Sequence, residues 1–439
     1  MARSYLFALT DGGGTVPPEV GAARRLVERG HRVRVLAEDS MASEVRAAGA
    51  TFVPWETAPN RRDRDPAHDP LRDWEARGAL AQARLIGDRV IAGPAPAIAR
   101  DVLAAVDAER PDLVVTSVFT VGAMIAAQSR GIPFDVLLPN VYAAPYPGRT
   151  PFGAGLRPAR GPVGRLRDRA VTSAATRTLD RFTLARLDAL RADLGLGPLT
   201  HSWEQMGAAR QQLVMTSPAF DLPGPLPANA RYVGPVLDDP SWADDVPWEA
   251  PPGDDPLVLV ALSSTFQDQA ALLRRVVAAL SALPVRGVVT TGQGLDPGAV
   301  PVRGVVTTGQ GLDPGAVPGS ASVSVVAAAP HRAVLRDAAL VVTHGGHGTL
   351  LKALVAGCPV VVLPHGRDQA DNAVRVTLRG AGVAVPRRSS AGRIHRAVHR
   401  VLHDPSFARA AARLGDAVRR DAEHGTLVAE LEDLDGRAS

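Results

Sequence analysis

The chain has one cysteine, Cys358, one lysine, Lys352, few aromatic residues (4%) and no long uninterrupted apolar run. Each scarcity excludes something. A lone cysteine can neither close an intramolecular disulfide nor build a cysteine-based zinc site. So few aromatics argue against the stacking platforms that single-stranded nucleic acid needs. No run approaches the roughly 18 apolar residues of a membrane span. The apolar stretch ahead of Asp11-Gly12-Gly13-Gly14 is shorter than the core of a secretory signal, so a cytoplasmic location is expected. Lack of lysine is not lack of positive charge: of 49 basic residues, 49 − 1 = 48 are arginines, set against 45 acidic residues for a formal charge of +4. Mixed-sign segments such as Arg61-Arg62-Asp63-Arg64-Asp65 leave no basic face, and nucleic acid is not an expected partner.

What is present is a large globular chain: 439 residues, 46% of them hydrophobic. Short β-branched runs alternate with helical patterns from the start. Tyr5–Leu9 is followed by Val20, Ala23 and Val27 at helical spacing, and then by Arg32–Leu36. The rhythm continues through 112–117, a small-residue helix near 121–130 and the run 134–138. Strands separated by helices imply a parallel, doubly wound sheet. Residues 140–210 turn arginine-rich and helical, as in a lid or substrate-binding excursion. From Asp238 to Pro256 five prolines and seven acidic residues can hold neither a helix nor a central strand, which marks a linker. The alternation then restarts, at 257–262, 267–280, 323–326, 340–343, 359–363 and 383–385. The expected architecture is α/β: two facing Rossmann-like doubly wound parallel-sheet domains, 1–237 and 257–439, with a ligand cleft between the carboxyl ends of their strands. The last helices are allowed to pack back on the first domain.

One feature is abnormal. Val285–Pro301 is repeated residue for residue by Val302–Pro318. Two perfect 17-residue copies are too few for a solenoid. Each holds one strand candidate, Val-Val-Thr-Thr, and the expectation is that one copy joins the sheet while the other loops out, as a recent duplication or a sequence-assembly artefact.

The chemistry concentrates in Leu340-Val-Val-Thr-His344-Gly345-Gly346-His347-Gly348-Thr349, a strand, a glycine-rich turn and a helix start. Glycines let the backbone approach a ligand, and the free N–H groups and dipole of the helix start favour an anion. The next strand leads to Pro364-His365-Gly366-Arg367-Asp368-Gln369, at the same carboxyl edge of a parallel sheet. A phosphate cradle beside a carboxylate and an amide suits a nucleotide sugar, with its hydroxyls on Asp368 and Gln369.

With Asp368-Gln369 24 positions after His344, and Pro330-His331 fourteen before it, the chain resembles the family 1 glycosyltransferases of the GT-B fold, bacterial antibiotic and macrolide branch. The resemblance implies an inverting, metal-independent transfer of a hexose or deoxyhexose from a UDP- or dTDP-sugar to an apolar polyketide, macrolide or phenolic acceptor, with no resident cofactor or metal. It places Ser264 and Thr265 near the diphosphate and His344 on a phosphate oxygen. Gly345, Gly346, Gly348 and Thr349 line the helix start, and Asp368 and Gln369 hold the sugar. A second copy of the chain or an auxiliary protein is left open as partner.

The chain departs from that family on the acceptor side. Its members carry a general-base histidine where Thr15 stands and an orienting aspartate where Ser117 stands. An unactivated hydroxyl is no base near neutral pH, so the nearest carboxylate on the loop, Asp11, becomes the candidate base, with an Asx turn as the alternative. Loss of both members of the dyad also admits a catalytically silent, nucleotide-sugar-binding auxiliary subunit. Lys352 replaces a ribose-binding glutamate, either to donate to a phosphate or ribose oxygen or to face solvent. Trp55, Trp74 and Trp203 are read as core or as acceptor-pocket lining.

Overall fold

The computed structural model describes residues 2–239, 248–262, 267, 269–290, 305–307, 323–325 and 330–434. The first half runs β1 (Ser4–Ala8), α1 (Val16–Glu28), β2 (Arg32–Ala37), α2 (Ala42–Ala47), β3 (Thr51–Pro54), α3 (Ala79–Ile86), α4 (Ala95–Ala108), β4 (Leu113–Ser117), α5 (Val121–Ser129), β5 (Phe134–Leu138), α6 (Gly161–Asp193), β6 (Gln211–Val214) and β7 (Ala230–Tyr232). Its strands form one sheet in the order β3-β2-β1-β4-β5-β6-β7, and every neighbouring pair is parallel. Apolar runs without polar alternation fit strands covered on both faces, and β1, β4 and β5 are buried along their whole length. The chain reverses direction across the sheet between β1 and β4. Ligands of open α/β sheets bind outside the carboxyl ends of strands at such a switch point.

The second half runs β8 (Leu257–Ala261), α7 (Ala270–Leu280), β9 (Arg286–Thr290), β10 (Val305–Thr307), β11 (Val323–Val325), α8 (His331–Asp337), β12 (Ala338–Thr343), α9 (His347–Val355), β13 (Val360–Val362), α10 (Gln369–Leu378), β14 (Gly382–Ala384), α11 (Ala391–His403), α12 (Pro405–Glu423) and α13 (Leu427–Glu432). The order β10-β9-β8-β12-β13-β14 is again parallel, with its switch point between β8 and β12. Each sheet is sandwiched between two apolar clusters. The C-terminal α13 returns to the first sheet, where Leu427 and Leu431 join the cluster of Tyr5, Val16 and Val33. Glu432 there meets His31 at 2.7 Å and Arg29 at 2.6 Å, and Arg210 donates to the Glu430 carbonyl at 2.8 Å.

The repeat corrects one expectation. Both copies supply a strand, β9 from the first and β10 from the second, and Val288, Val289 and Thr290 lie opposite their own duplicates Val305, Val306 and Thr307. Residues 291–304 separate the two strands, enough for the dozen or more that a parallel crossover needs. β11 also pairs with β9. The remainder of both copies lies outside the described residues.

Candidate functional site

The loops at the carboxyl ends of the two sheets meet. Asn140, just beyond β5, donates to Asp368 Oδ2 at 2.7 Å, and Thr216, beyond β6, bonds His347 at 2.7 Å. Arg367 reaches Asp73 at 2.7 Å, and Asp371 accepts from the backbone N–H of Gly155 at 2.7 Å and from that of Gly153. Behind these contacts Asp221, 2% exposed, accepts from Arg149 and Arg375, each at 2.7 Å, and from the Tyr232 hydroxyl at 2.7 Å. Burial opposes its ionisation, but the two guanidiniums hold its carboxyl below the usual range.

On the second sheet, Gly345 has φ +103, and a Cβ there would lie 2.8 Å from Val362 and 3.1 Å from the Gln369 carbonyl, so only glycine makes this turn. At Gly346 a Cβ would lie 2.6 Å from His344 Nε2, so the imidazole rests on the bare turn. Burial, with His365 and Arg367 nearby, pushes the His344 pKa down to about 3 and keeps the ring neutral. No side chain caps α9, Gly348 is exposed and Thr349 half-buried. The helix-start N–H groups therefore remain available to an anion. Asn372 ties the turn to the second cluster by donating to the Gly345 carbonyl at 3.0 Å and to Asp368 Oδ2 at 2.6 Å. Burial raises the Asp368 pKa against these amides.

Two donor-side expectations are revised. Gln369 is 1% exposed; its Oε1 accepts from the backbone N–H of His365 at 2.7 Å and of Gly366 at 3.2 Å, and its amide faces Gln267. It shapes the loop from beneath rather than facing the cleft. Lys352 is turned to the linker and only partly exposed: its ammonium holds the Asp238 carbonyl at 2.8 Å and the Asp239 carboxylate, tying α9 to the start of the linker. Ser264 and Thr265 lie outside the described residues.

On the first sheet, Asp11 accepts from Arg64 at 2.7 Å, Ser40 at 2.8 Å and the Gly13 N–H at 2.9 Å. The last of these is the Asx turn. Burial opposes ionisation, but Arg64, Arg61 and Ser40 outweigh it and hold the carboxyl below its usual range. Asp11 is therefore a poor proton acceptor, which corrects its candidacy as the base.

A residue missed in the sequence stands closer to Thr15 and Ser117. Thr15 occupies the N-cap of α1, where a threonine hydroxyl normally accepts from the N–H of the second or third helical residue. Those residues are Pro17 and Pro18, which have no N–H, and the hydroxyl makes no cap bond. One turn on is Glu19, 0% exposed. Burial, and secondarily the Asp11 charge, raise its pKa to about 8 against the hydroxyls of Ser117 and Thr15. Yet Thr15 Oγ1, Ser117 Oγ and both Glu19 oxygens are buried without completing a hydrogen bond. Pro-Pro followed by Glu at a cap was the legible signal.

Among the described residues no group of three or more His, Cys, Asp or Glu is arranged to hold a metal, and no helix is long and apolar enough to cross a membrane. A shallow, solvent-open pocket lies between the loop 143–152 and α6. Tyr146, Phe152, Ala175 and Trp203 are among its lining. Trp55 is core, 3% exposed with its indole N–H on the Leu9 carbonyl, and Trp74 sits under the Arg72 guanidinium.

The model of the erythromycin biosynthesis protein CIII-like C-terminal domain matches residues 302–434. The chain is 30% identical to the 4'-demethylrebeccamycin synthase of Lentzea aerocolonigenes over 428 residues, 95% of this chain and 96% of that protein. The chain belongs to the glycosyltransferases of antibiotic biosynthesis. This glycosyltransferase is also 26% identical to the oleandomycin glycosyltransferase of Streptomyces antibioticus, over 91% of this chain and 84% of that one. Its fold is GT-B: the kitacinnamycin glycosyltransferase structure superposes with a TM-score of 0.74, at 22% identity and 99% coverage of both chains.

Proposed function

We propose that the protein is an inverting, metal-independent glycosyltransferase, moving a hexose or deoxyhexose from a UDP- or dTDP-sugar to an apolar natural-product hydroxyl inside the cell. Domain 257–439 binds the donor, with the diphosphate on the α9 start and His344, and the sugar on Asp368. Domain 1–237 binds the acceptor in the pocket beside Trp203. The observation that carries this reading is the Asn140–Asp368 bond at 2.7 Å, which brings the acceptor-side sheet edge onto the residue assigned to the sugar. Developing charge on the leaving diphosphate is met by the helix dipole and by protonation of His344 as the dianion binds.

The test incubates the protein with UDP-glucose and dTDP-glucose against phenolic, macrolide and indolocarbazole acceptors, with and without EDTA, and determines the anomeric configuration of any product by NMR. An inverted product formed in EDTA supports the reading. Replacement of the expected histidine and aspartate by Thr15 and Ser117 favours one alternative, a silent auxiliary subunit, which would bind donor tightly without turnover. Asp368→Ala should weaken donor binding at least tenfold; unchanged binding would overturn the donor assignment.

A further inference from the structure

The cluster of Thr15, Glu19 and Ser117 stands at the switch point of the first sheet, with Thr15 in the loop after β1 and Ser117 at the end of β4. It is in the place where a ligand of such a sheet binds. Native proteins rarely bury together four oxygens that face one another, two hydroxyls on one carboxyl, without a hydrogen bond of normal geometry, and each such atom asks for a reason. The arrangement is also enforced. Pro17 and Pro18 deny the Thr15 hydroxyl its capping donors, and Gly12 clears its path, since a Cβ there would stand 2.7 Å from Thr15 Oγ1. The 3.2 Å bond from the Glu19 N–H to the Thr15 carbonyl sets the two residues one turn apart.

We propose that Glu19, acting through the Thr15 hydroxyl, takes up the proton that the acceptor releases during glycosyl transfer. This rests on the transfer reading above. As the acceptor oxygen bonds the anomeric carbon, the anomeric carbon–oxygen bond to the diphosphate breaks and its electron pair leaves with the diphosphate. The acceptor O–H proton passes to Thr15 Oγ1 while the threonine's own proton moves to a Glu19 oxygen, and Ser117 donates to the other. The Thr15 hydroxyl, buried in the ligand-free chain, is the group the acceptor would have to reach on binding, and Glu19 and Ser117 are positioning residues behind it. The groups facing Glu19 are the Ser117 hydroxyl from β4, the Thr15 hydroxyl from its own helix start and the Asp11 carboxylate from the β1 loop, the last committed to Arg64. Only ionised Glu19 can accept, so the rate rises with pH and levels off above about 8.

The test measures kcat/KM for UDP-glucose and dTDP-glucose with a series of para-substituted phenols, from unsubstituted phenol to the far more acidic nitrophenol. Absence of turnover by the wild-type protein with either donor overturns the transfer reading and the relay with it. Given turnover, Glu19→Gln, which keeps the shape of the neutral side chain, should lower kcat/KM with phenol on the order of 100-fold or more. The loss should shrink below tenfold with nitrophenol, which needs little help to ionise, and the rise toward pH 8 should disappear while donor KM stays unchanged. Thr15→Val should reproduce this pattern and Thr15→Ser should restore the wild-type profile. Equal losses across the phenols, or an unaltered pH profile in Glu19→Gln, would show a structural role only and overturn the relay.

Discussion

Asp221 and Glu19 are both carboxyls sealed in the interior of the same half of the chain, and the surroundings drive them in opposite directions. Asp221 takes two arginines and a tyrosine hydroxyl, and its pKa falls; Glu19 has two hydroxyls that do not complete bonds and a like charge beyond them, and its pKa rises to about 8. Burial is common to both, so it is the supply of partners that decides. Asp221, joined to Arg375 on α10, fastens the acceptor-side sheet to the donor-side helix. Glu19 joins no second element by an ion pair and instead keeps its proton up to about pH 8. A structural charge and a chemical one can therefore be told apart by their partners, although their exposures are nearly equal.

Breaking the better-served carboxyl should have the largest effect. Asp221→Ala leaves Arg149 and Arg375 buried without their counter-charge, and removing one partner from such a site costs about 3–5 kcal/mol. Urea unfolding at pH 7 measures it, and a loss under about 1 kcal/mol would mean the hub is not holding the two halves. Because the folded pKa is depressed, the stabilisation is present above the unfolded value of 3.8 and is lost as pH falls through the lower folded one.

Glu19→Gln should move the other way. The folded state keeps the proton up to about pH 8 while the unfolded chain releases it near 4.5, so wild-type stability falls by up to about 1.4 kcal/mol for each unit as pH rises between those values. The glutamine variant lacks that slope. It should match wild type near pH 5 and exceed it clearly at pH 8, while losing transfer activity. Parallel stability curves for the two proteins across pH 5–8 would place an ionised, well-solvated Glu19 in the folded state and erase the contrast with Asp221.

The donor side supplies a third, smaller effect. His344 is neutral without a ligand, because burial, and then His365 and Arg367 nearby, push its pKa to about 3. A diphosphate dianion against the ring acts in the opposite sense, so UDP binding should take up a proton. Affinity should then improve as pH falls from 8 to 6, by at most about tenfold per unit. Calorimetry in buffers of differing ionisation heat detects the proton, and binding without uptake would remove His344 from the phosphate.

Much of this was legible in the chain itself, for a physical reason. Parallel strands covered on both faces write continuous apolar runs such as 5–9 and 257–261, and a helix start that must approach a ligand closely writes glycines such as Gly345 and Gly346. Those are local signals. Apart from that of Gln369, the side-chain roles that shifted depend on partners distant in sequence: Arg64 lies 53 positions from the Asp11 it neutralises, and Ser117 meets Glu19 only because β4 pairs with β1. Gln369 turned inward because its own loop supplied N–H groups, which no periodicity reveals. The duplicated segment misled differently, since identical residues can pair with themselves in register.

Lys352 gives the smallest effect and the cleanest separation of structure from chemistry. Its side chain is 17% exposed and that of Asp239 13%, so the ion pair is partly screened and should contribute about 1 kcal/mol or less. Lys352→Ala should therefore lower stability slightly, through a looser joint between α9 and the start of the linker. If the ammonium serves only that joint, UDP affinity should stay within twofold of wild type in the same calorimetric assay. A tenfold loss of affinity would instead bring the lone lysine onto the donor, and would mean that the Asp239 contact opens when a nucleotide arrives.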